Sequence, residues 1–236
     1  MKRIILLSTD TLHHRFFIKK IDQSVSNVIK YIFETTSINF KFKTGPTFEK
    51  KQKKFENKLF FNKSDSALDN NKIKKFNNIN SNESFSYLKK IKPDIGLVFG
   101  TRKIDQRIIN IFKDGLINAH RGNPEEYRGL DSDLWAMYHG EYEKIYSTIH
   151  YVNPSLDTGD IIYRKKLKID KHTRAHKVQG LTTIVTTDLF IKFLNDYHSK
   201  KIITRKQKKI GRYYSKIPYD LKKISIKKFD NYCKKK

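Results

Sequence analysis

The chain has 236 residues, enough for one sizeable α/β domain with a small appendage, and 37% of them are apolar, with 13 Tyr and 16 Phe available to fill a core. Fifty Lys and Arg against 24 Asp and Glu leave a net charge of +26, which favours solubility and attraction to anions such as phosphates, nucleic acid or acidic membrane surfaces. The basic residues are spread along the chain, so a solvated basic surface is the plainer reading; the single cysteine, Cys233, excludes an internal disulfide and a Cys-cluster zinc site.

Taken in chain order, Ile4 to Leu7 is an apolar run bounded by polar residues, as in a buried parallel strand. It is too short for a signal peptide, and nothing approaches the roughly 20 apolar residues of a membrane span, so a cytoplasmic protein with no membrane partner is expected. A helix through "LHHRFFIKKI" follows, then a strand in "NVIKYIFETT" and a turn at Gly45-Pro46. Phe48, Phe55 and Leu59 recur at helical spacing in "TFEKKQKKFENKLFF". The polar stretch after it reads as a loop around a short strand near Ile73 to Phe76. Ser81 or Asn82 can cap the next helix, which must end before Pro93.

"DIGLVFGT" is a buried strand, "KIDQRIINIF" an amphipathic helix and "GLINAH" another buried strand. Asp131 can cap a helix in "SDLWAMYHGE"; "YSTIHYVN" and the residues after "LDTGD" read as strands. A long helix from about Thr173 carries Val178, Leu181, Val185, Leu189 and Phe193 on one face, a core stripe. Alternating strands and helices with short connections predict a Rossmann-like α/β fold, a mostly parallel sheet with flanking helices, over residues 1–200. Residues 201–236 form a basic, aromatic C-terminal extension.

"STDTLHH" after the first strand lacks the glycines of a dinucleotide site, and no P-loop is present. His13 and His14 are adjacent and cannot share one helix face, which argues against a metal pair. The informative residues are Asn118 and His120 at the end of a strand, where ligands bind in parallel sheets, followed by Tyr127-Arg128-Gly129 and Asp157. An imidazole can take a proton near neutral pH, an amide N–H can hold a developing oxyanion, and a carboxylate can orient the imidazole. Together they suit acyl transfer to a substrate that brings its own amine.

Asn118-x-His120, Tyr127-Arg128-Gly129, Gly140-Glu141, Thr148-x-His150 and Asp157-x-Gly159 follow one another in the order and spacing of folate-dependent formyltransferases, whose catalytic segment residues 94–165 resemble. The resemblance implies N10-formyltetrahydrofolate as formyl-donating cosubstrate, a primary amine as acceptor and no metal. By matching position, His120 would be the general base, Asn118 the oxyanion donor and Asp157 the group that orients His120 and helps proton transfer to the departing folate nitrogen. The pterin pocket would draw on Thr101, Arg102 and Ile104 and on the loop from Asn153 to Leu156. The loop carrying Thr9, Asp10, Thr11 and His13 would lie on the acceptor side. Where many members read His-x-Ser, this chain reads His120-Arg121-Gly122, which implies a different amine pocket with Arg121 or Arg128 facing a phosphate. Trp135 is read as helix packing or as a stacking platform for substrate.

Three acceptors compete. Charged initiator tRNA would use the positive charge, but the 79 residues after Asp157 leave little room for the extra barrel domain of the tRNA enzymes. Glycinamide ribonucleotide goes with glycines in the first loop, which are missing. A nucleotide-linked amino sugar, formylated on its way to a surface polysaccharide such as O-antigen, is the preferred reading. The basic tail would then be an acceptor-side or homodimer-forming element. A vestigial RNA-binding protein predicts a damaged trio, whereas Asn118, His120 and Asp157 are all present.

Overall fold

A computed structural model describes residues 2–36, 39–62 and 65–236. Its first half alternates β1 (Ile4–Ser8), α1 (Leu12–Ser24), β2 (Val28–Glu34), α2 (Glu49–Phe60), β3 (Ile73–Phe76), α3 (Asn82–Ile91), β4 (Ile95–Phe99), α4 (Gln106–Ile109) and β5 (Leu116–His120). The second half holds β6 (Tyr127–Gly129), α5 (Ser132–His139), β7 (Tyr146–Tyr151), β8 (Ile161–Lys166), α6 (Ala175–His198), β9 (Arg212–Tyr214) and α7 (Tyr219–Lys234). Seven strands make one sheet in the order β3-β2-β1-β4-β5-β7-β8. The first five run parallel, and β7 and β8 are antiparallel additions at one edge. The expected mostly parallel α/β sheet with flanking helices is therefore what the chain adopts.

Alternation along the central strands explains why both faces are covered. Ile4 and Leu6 point to one side, against Phe17, Ile18 and Ile21 of α1 and Phe190 and Phe193 of α6. Ile5 and Leu7 point to the other, against Leu88 of α3 and Ile108 and Phe112 at α4. Each such side chain, fully removed from water, contributes about 1.5–3 kcal/mol. A third cluster joins Ala136 and Met137 of α5 to Phe229 and Cys233 of α7. The C-terminal residues thus pack into the molecule, and their small sheet, β6 beside β9, stands next to the end of β5.

Several local expectations are corrected. The helix read through Phe112 is a single turn, Gln106–Ile109, because the chain must reverse through Gly115 (φ 89°) to enter β5. Ser81, not Asn82, caps α3 by accepting from the Ser84 N–H at 3.1 Å. Asp131 makes no cap bond to α5. Its carboxylate instead accepts from the Ile217 N–H at 3.1 Å and the Lys216 ammonium at 2.8 Å, tying the tail down. Gly45 and Pro46 lie in an irregular connection held by the Tyr219 N–H on the Lys43 carbonyl at 3.0 Å. On α6, Leu181 and Val185 are only half-buried, and a band of threonines, Thr182, Thr183, Thr186 and Thr187, is buried beside Leu189 and Phe193. Thr182, Thr183 and Thr187 satisfy their hydroxyls on carbonyls one turn back, as buried threonines in helices do.

Candidate active site

Beyond the carboxyl ends of β1, β4 and β5 lies a cavity of about 500 Å³. Alternation along β5 turns Asn118 and His120 to the same face, with His150 of β7 directly across from Asn118 in the antiparallel register. Asp157 enters from the loop between β7 and β8, in the left-handed region at φ 55°. That loop closes tightly: a Cβ on Gly159 would fall 1.7 Å from the Tyr151 carbonyl oxygen, so the Asp-x-Gly turn needs its glycine.

Hydrogen-bond logic fixes the protonation pattern. The Tyr127 carbonyl lies 2.7 Å from His120 Nε2, and because a carbonyl only accepts, Nε2 carries the proton. His120 Nδ1 is then left to accept, 3.6 Å from Asp157 Oδ2. Likewise His150 Nδ1 donates to its neighbouring Tyr151 carbonyl at 2.8 Å, so His150 Nε2 accepts from the Asn118 amide at 3.2 Å. The same amide nitrogen donates to Asp157 Oδ1 at 3.3 Å. Burial lowers the His120 pKa below that of an ordinary histidine, with Asp157 opposing the shift, so the ring is neutral at pH 7. Burial opposes the charge on Asp157, but the Gly129 N–H at 2.8 Å and the Asn118 amide at 3.3 Å donate to the carboxylate, and His120 and His150 add their attraction whenever they are protonated, so the carboxyl is held below the usual range.

Tyr127-Arg128-Gly129 is the frame of this corner. Tyr127 offers its carbonyl to His120, and Gly129 its N–H to Asp157. Arg128 donates through Nη1 to the Leu156 carbonyl at 3.0 Å and through Nε to the Gly211 carbonyl at 2.7 Å, tying the Asp157 loop to the tail. Thr148 donates to the Gly122 carbonyl at 2.7 Å, and a Cβ at Gly122 would approach His120 Nε2 to 2.7 Å. Glycine after Arg121 is therefore what the ring of His120 permits.

The cavity brings together His13, Thr101, Arg102, Ile104, Asn118, His120, Arg121, Asn153, Leu156 and Asp157. The Arg102 N–H is already donated to buried Glu34, at 2.9 Å. Thr9, Asp10, Thr11, Arg128 and Trp135 lie outside the lining. Thr9 and Thr11 hydroxyls are each 2.9 Å from His14 Nδ1, and Asp10 pairs with Arg15. Trp135 donates to the Ser215 carbonyl at 2.8 Å and packs on Tyr214. Sequence reasoning missed Ser132, Gln179, Tyr213 and Lys216 as lining residues, gave His150 no role, and set His13 and His14 on different helix faces, whereas both rings line the cavity with centroids 3.9 Å apart. His150 could have been found from its alternation in "STIHY" opposite Asn118. Gln179 and Lys216 had no local signal.

A family model described as formyl transferase matches residues 23–192. A methionyl-tRNA formyltransferase of Finegoldia magna is 33% identical over 121 residues, 51% of this chain and 39% of the relative, so the chain spans about two fifths of such relatives' length. Among solved structures, a 4-N formyltransferase of Francisella tularensis superposes with a TM-score of 0.65 at 19% identity, covering 95% of this chain and 86% of that one. The formyltransferase PseJ of Anoxybacillus kamchatkensis, solved with UDP-4,6-dideoxy-4-formamido-L-AltNAc and tetrahydrofolate, gives a TM-score of 0.53 at 20% identity over 90% of this chain and 85% of that one. Among the described residues no helix is long and apolar enough to cross a membrane. With the family model matched over most of its length, the chain belongs to the formyl transferase family.

Proposed function

We propose that the protein transfers the formyl group of N10-formyltetrahydrofolate to the primary amine of a nucleotide-linked amino sugar. The observation that carries the chemistry is His120, neutral and aimed by the Tyr127 carbonyl, with Nδ1 free to accept and Asp157 beside it. The cosubstrate supplies an activated formyl carbon, in the lobe between Thr101–Ile104 and Asn153–Leu156. As the acceptor nitrogen bonds to that carbon, His120 Nδ1 takes its proton. The imidazolium so formed is paired with Asp157, which favours the proton's uptake without itself being protonated. The Asn118 amide, whose bonds at 3.2 and 3.3 Å are long, turns one N–H to the developing oxyanion, a stronger acceptor. When the tetrahedral carbon collapses, His120 returns the proton to the leaving folate nitrogen, completing tetrahydrofolate and a formamide.

The acceptor reading is supported by the tail. Tyr213 and Lys216 bring the C-terminal region into the cavity wall, and the likeness to the Francisella enzyme extends over nearly the whole chain. The sequence relatives favour a second reading, charged tRNA, through their higher identity over about half of this chain. The deciding experiment follows tetrahydrofolate release from N10-formyltetrahydrofolate with nucleotide-linked 3-amino and 4-amino sugars, glycinamide ribonucleotide and methionyl-tRNA. Turnover with an amino sugar is expected. Turnover only with charged tRNA would establish the second reading, and no turnover with any amine would overturn both.

A further inference from the structure

One wall of the cavity holds a chain of side chains drawn from four separate elements. Arg121, directly after His120, donates to Gln179 Oε1 on α6. An arginine has no acceptor, so that contact fixes which end of the amide is oxygen. Gln179 Nε2 then lies 3.0 Å from His13 Nδ1 on α1, and a carboxylate oxygen of Glu56 on α2 stands 4.0 Å from the same ring nitrogen. Glu56 accepts a bond from Gln52 at 3.0 Å. Reversing the amide would set its N–H against the guanidinium, so Arg121 determines its orientation. His13 Nδ1, facing an N–H donor from Gln179 and lying 3.0 Å from the Thr11 hydroxyl, is an acceptor. A neutral His13 therefore carries its proton on Nε2. Burial, with His14 and Arg121 nearby, keeps the ring neutral.

Both hydrogen bonds of the His13 ring within the described residues are made at Nδ1, none at Nε2, and the residue lines the cavity that His120 and Asp157 also line. We propose that His13 is a specificity-determining hydrogen-bond donor, presenting Nε2–H to an oxygen of the formyl acceptor close to its amine. Gln179 is its positioning residue, holding the tautomer through Arg121. The acceptor class this selects is an amine with a neighbouring hydroxyl, carbonyl or ester oxygen, rather than a bare alkyl amine. The assignment rests on the formyl-transfer reading and goes beyond it by naming what the acceptor must carry next to its nitrogen.

The test has two arms. Long-range proton–nitrogen NMR of the whole protein at about pH 7.5 reads the His13 tautomer directly, with His13→Phe used to assign the signal. Wild type is expected as the neutral Nε2–H form, and Gln179→Glu, which offers only acceptors, is expected to put a proton on Nδ1. A neutral Nδ1–H ring or an imidazolium in wild type would overturn the proposal. The kinetic arm compares wild type, His13→Phe and Gln179→Glu with the amine that turns over and with analogues deoxygenated at one position near the amine. The acceptor KM is expected to rise about 5–10-fold in His13→Phe, as for one lost hydrogen bond, with kcat little changed. For the analogue missing the recognised oxygen, wild type and His13→Phe should converge. A KM penalty equal for every analogue would mean that His13 only packs, and no penalty would mean that it touches no acceptor. Failure of wild type with every amine would sink the formyl-transfer reading itself, while the spectrum still decides the tautomer.

Discussion

The two sides of the cavity are built differently. The corner around Asp157 draws the side-chain partners of His120 and Asp157 from one stretch of chain, residues 118–159, through strand pairing, a three-residue frame and a glycine-closed turn. The tail only braces its backbone from behind, at Gln207 and Gly211. The wall around His13 is assembled from α1, α2, α6 and the loop after β5, so that His13 and Gln179 meet across 166 positions of sequence. The first arrangement is one that chemistry demands and local sequence can encode. The second is free to change whenever any one of four segments changes, as the proposed selection of the acceptor requires.

That contrast can be broken most forcefully at the corner. His120→Ala removes the proposed base and should lower the turnover rate by about 10²–10⁴-fold, measured as tetrahydrofolate release, while circular dichroism stays native. Gly159→Ala places a methyl group against the Tyr151 carbonyl, so the Asp157 loop must shift. Thermal unfolding should report a loss of about 1–3 kcal/mol, and turnover should drop by about 10²-fold because the carboxylate is misplaced. Arg128→Lys keeps the charge but cannot span the Leu156 and Gly211 carbonyls together. A stability loss of about 1–2 kcal/mol is expected by denaturant titration, with a smaller loss of rate than at Gly159. Trp135→Phe loses only the bond to the Ser215 carbonyl, about 0.5–1.5 kcal/mol, and should leave kcat unchanged. A large kcat effect there would mean that the ring serves substrate after all.

The same contrast governs what could be read in advance. The strands β1, β4 and β5 announce themselves as apolar runs, and the short strand at Ile73–Phe76 is bounded by polar residues on both sides. Asn118, His120 and Asp157 were visible because their motif partners lie within about forty residues. The capping role of Asp131 was misjudged because the carboxylate's partners, Lys216 and Ile217, lie 85 and 86 positions away. The helix expected through Phe112 was shortened by tertiary demands at Gly115 that no helical periodicity reveals. Gln179 looked like one polar position on a long helix, and only the packing of α6 against α1 and α2 gives it a role.

The claim on which the account depends is that a neutral His120, stabilised as an imidazolium by Asp157, is the base. The most direct measurement is kcat with both substrates saturating, from about pH 5 to about pH 9, for wild type and Asp157→Asn. A base works when unprotonated, and burial depresses the His120 pKa, so wild type should lose rate only as pH falls through a midpoint below that of free histidine. Removing the carboxylate removes the charge that favours the protonated ring, so Asp157→Asn should be slower, with its acid limb displaced to still lower pH. A wild-type kcat that titrates at or above the ordinary histidine range, or an Asp157→Asn profile of the same midpoint, would contradict it.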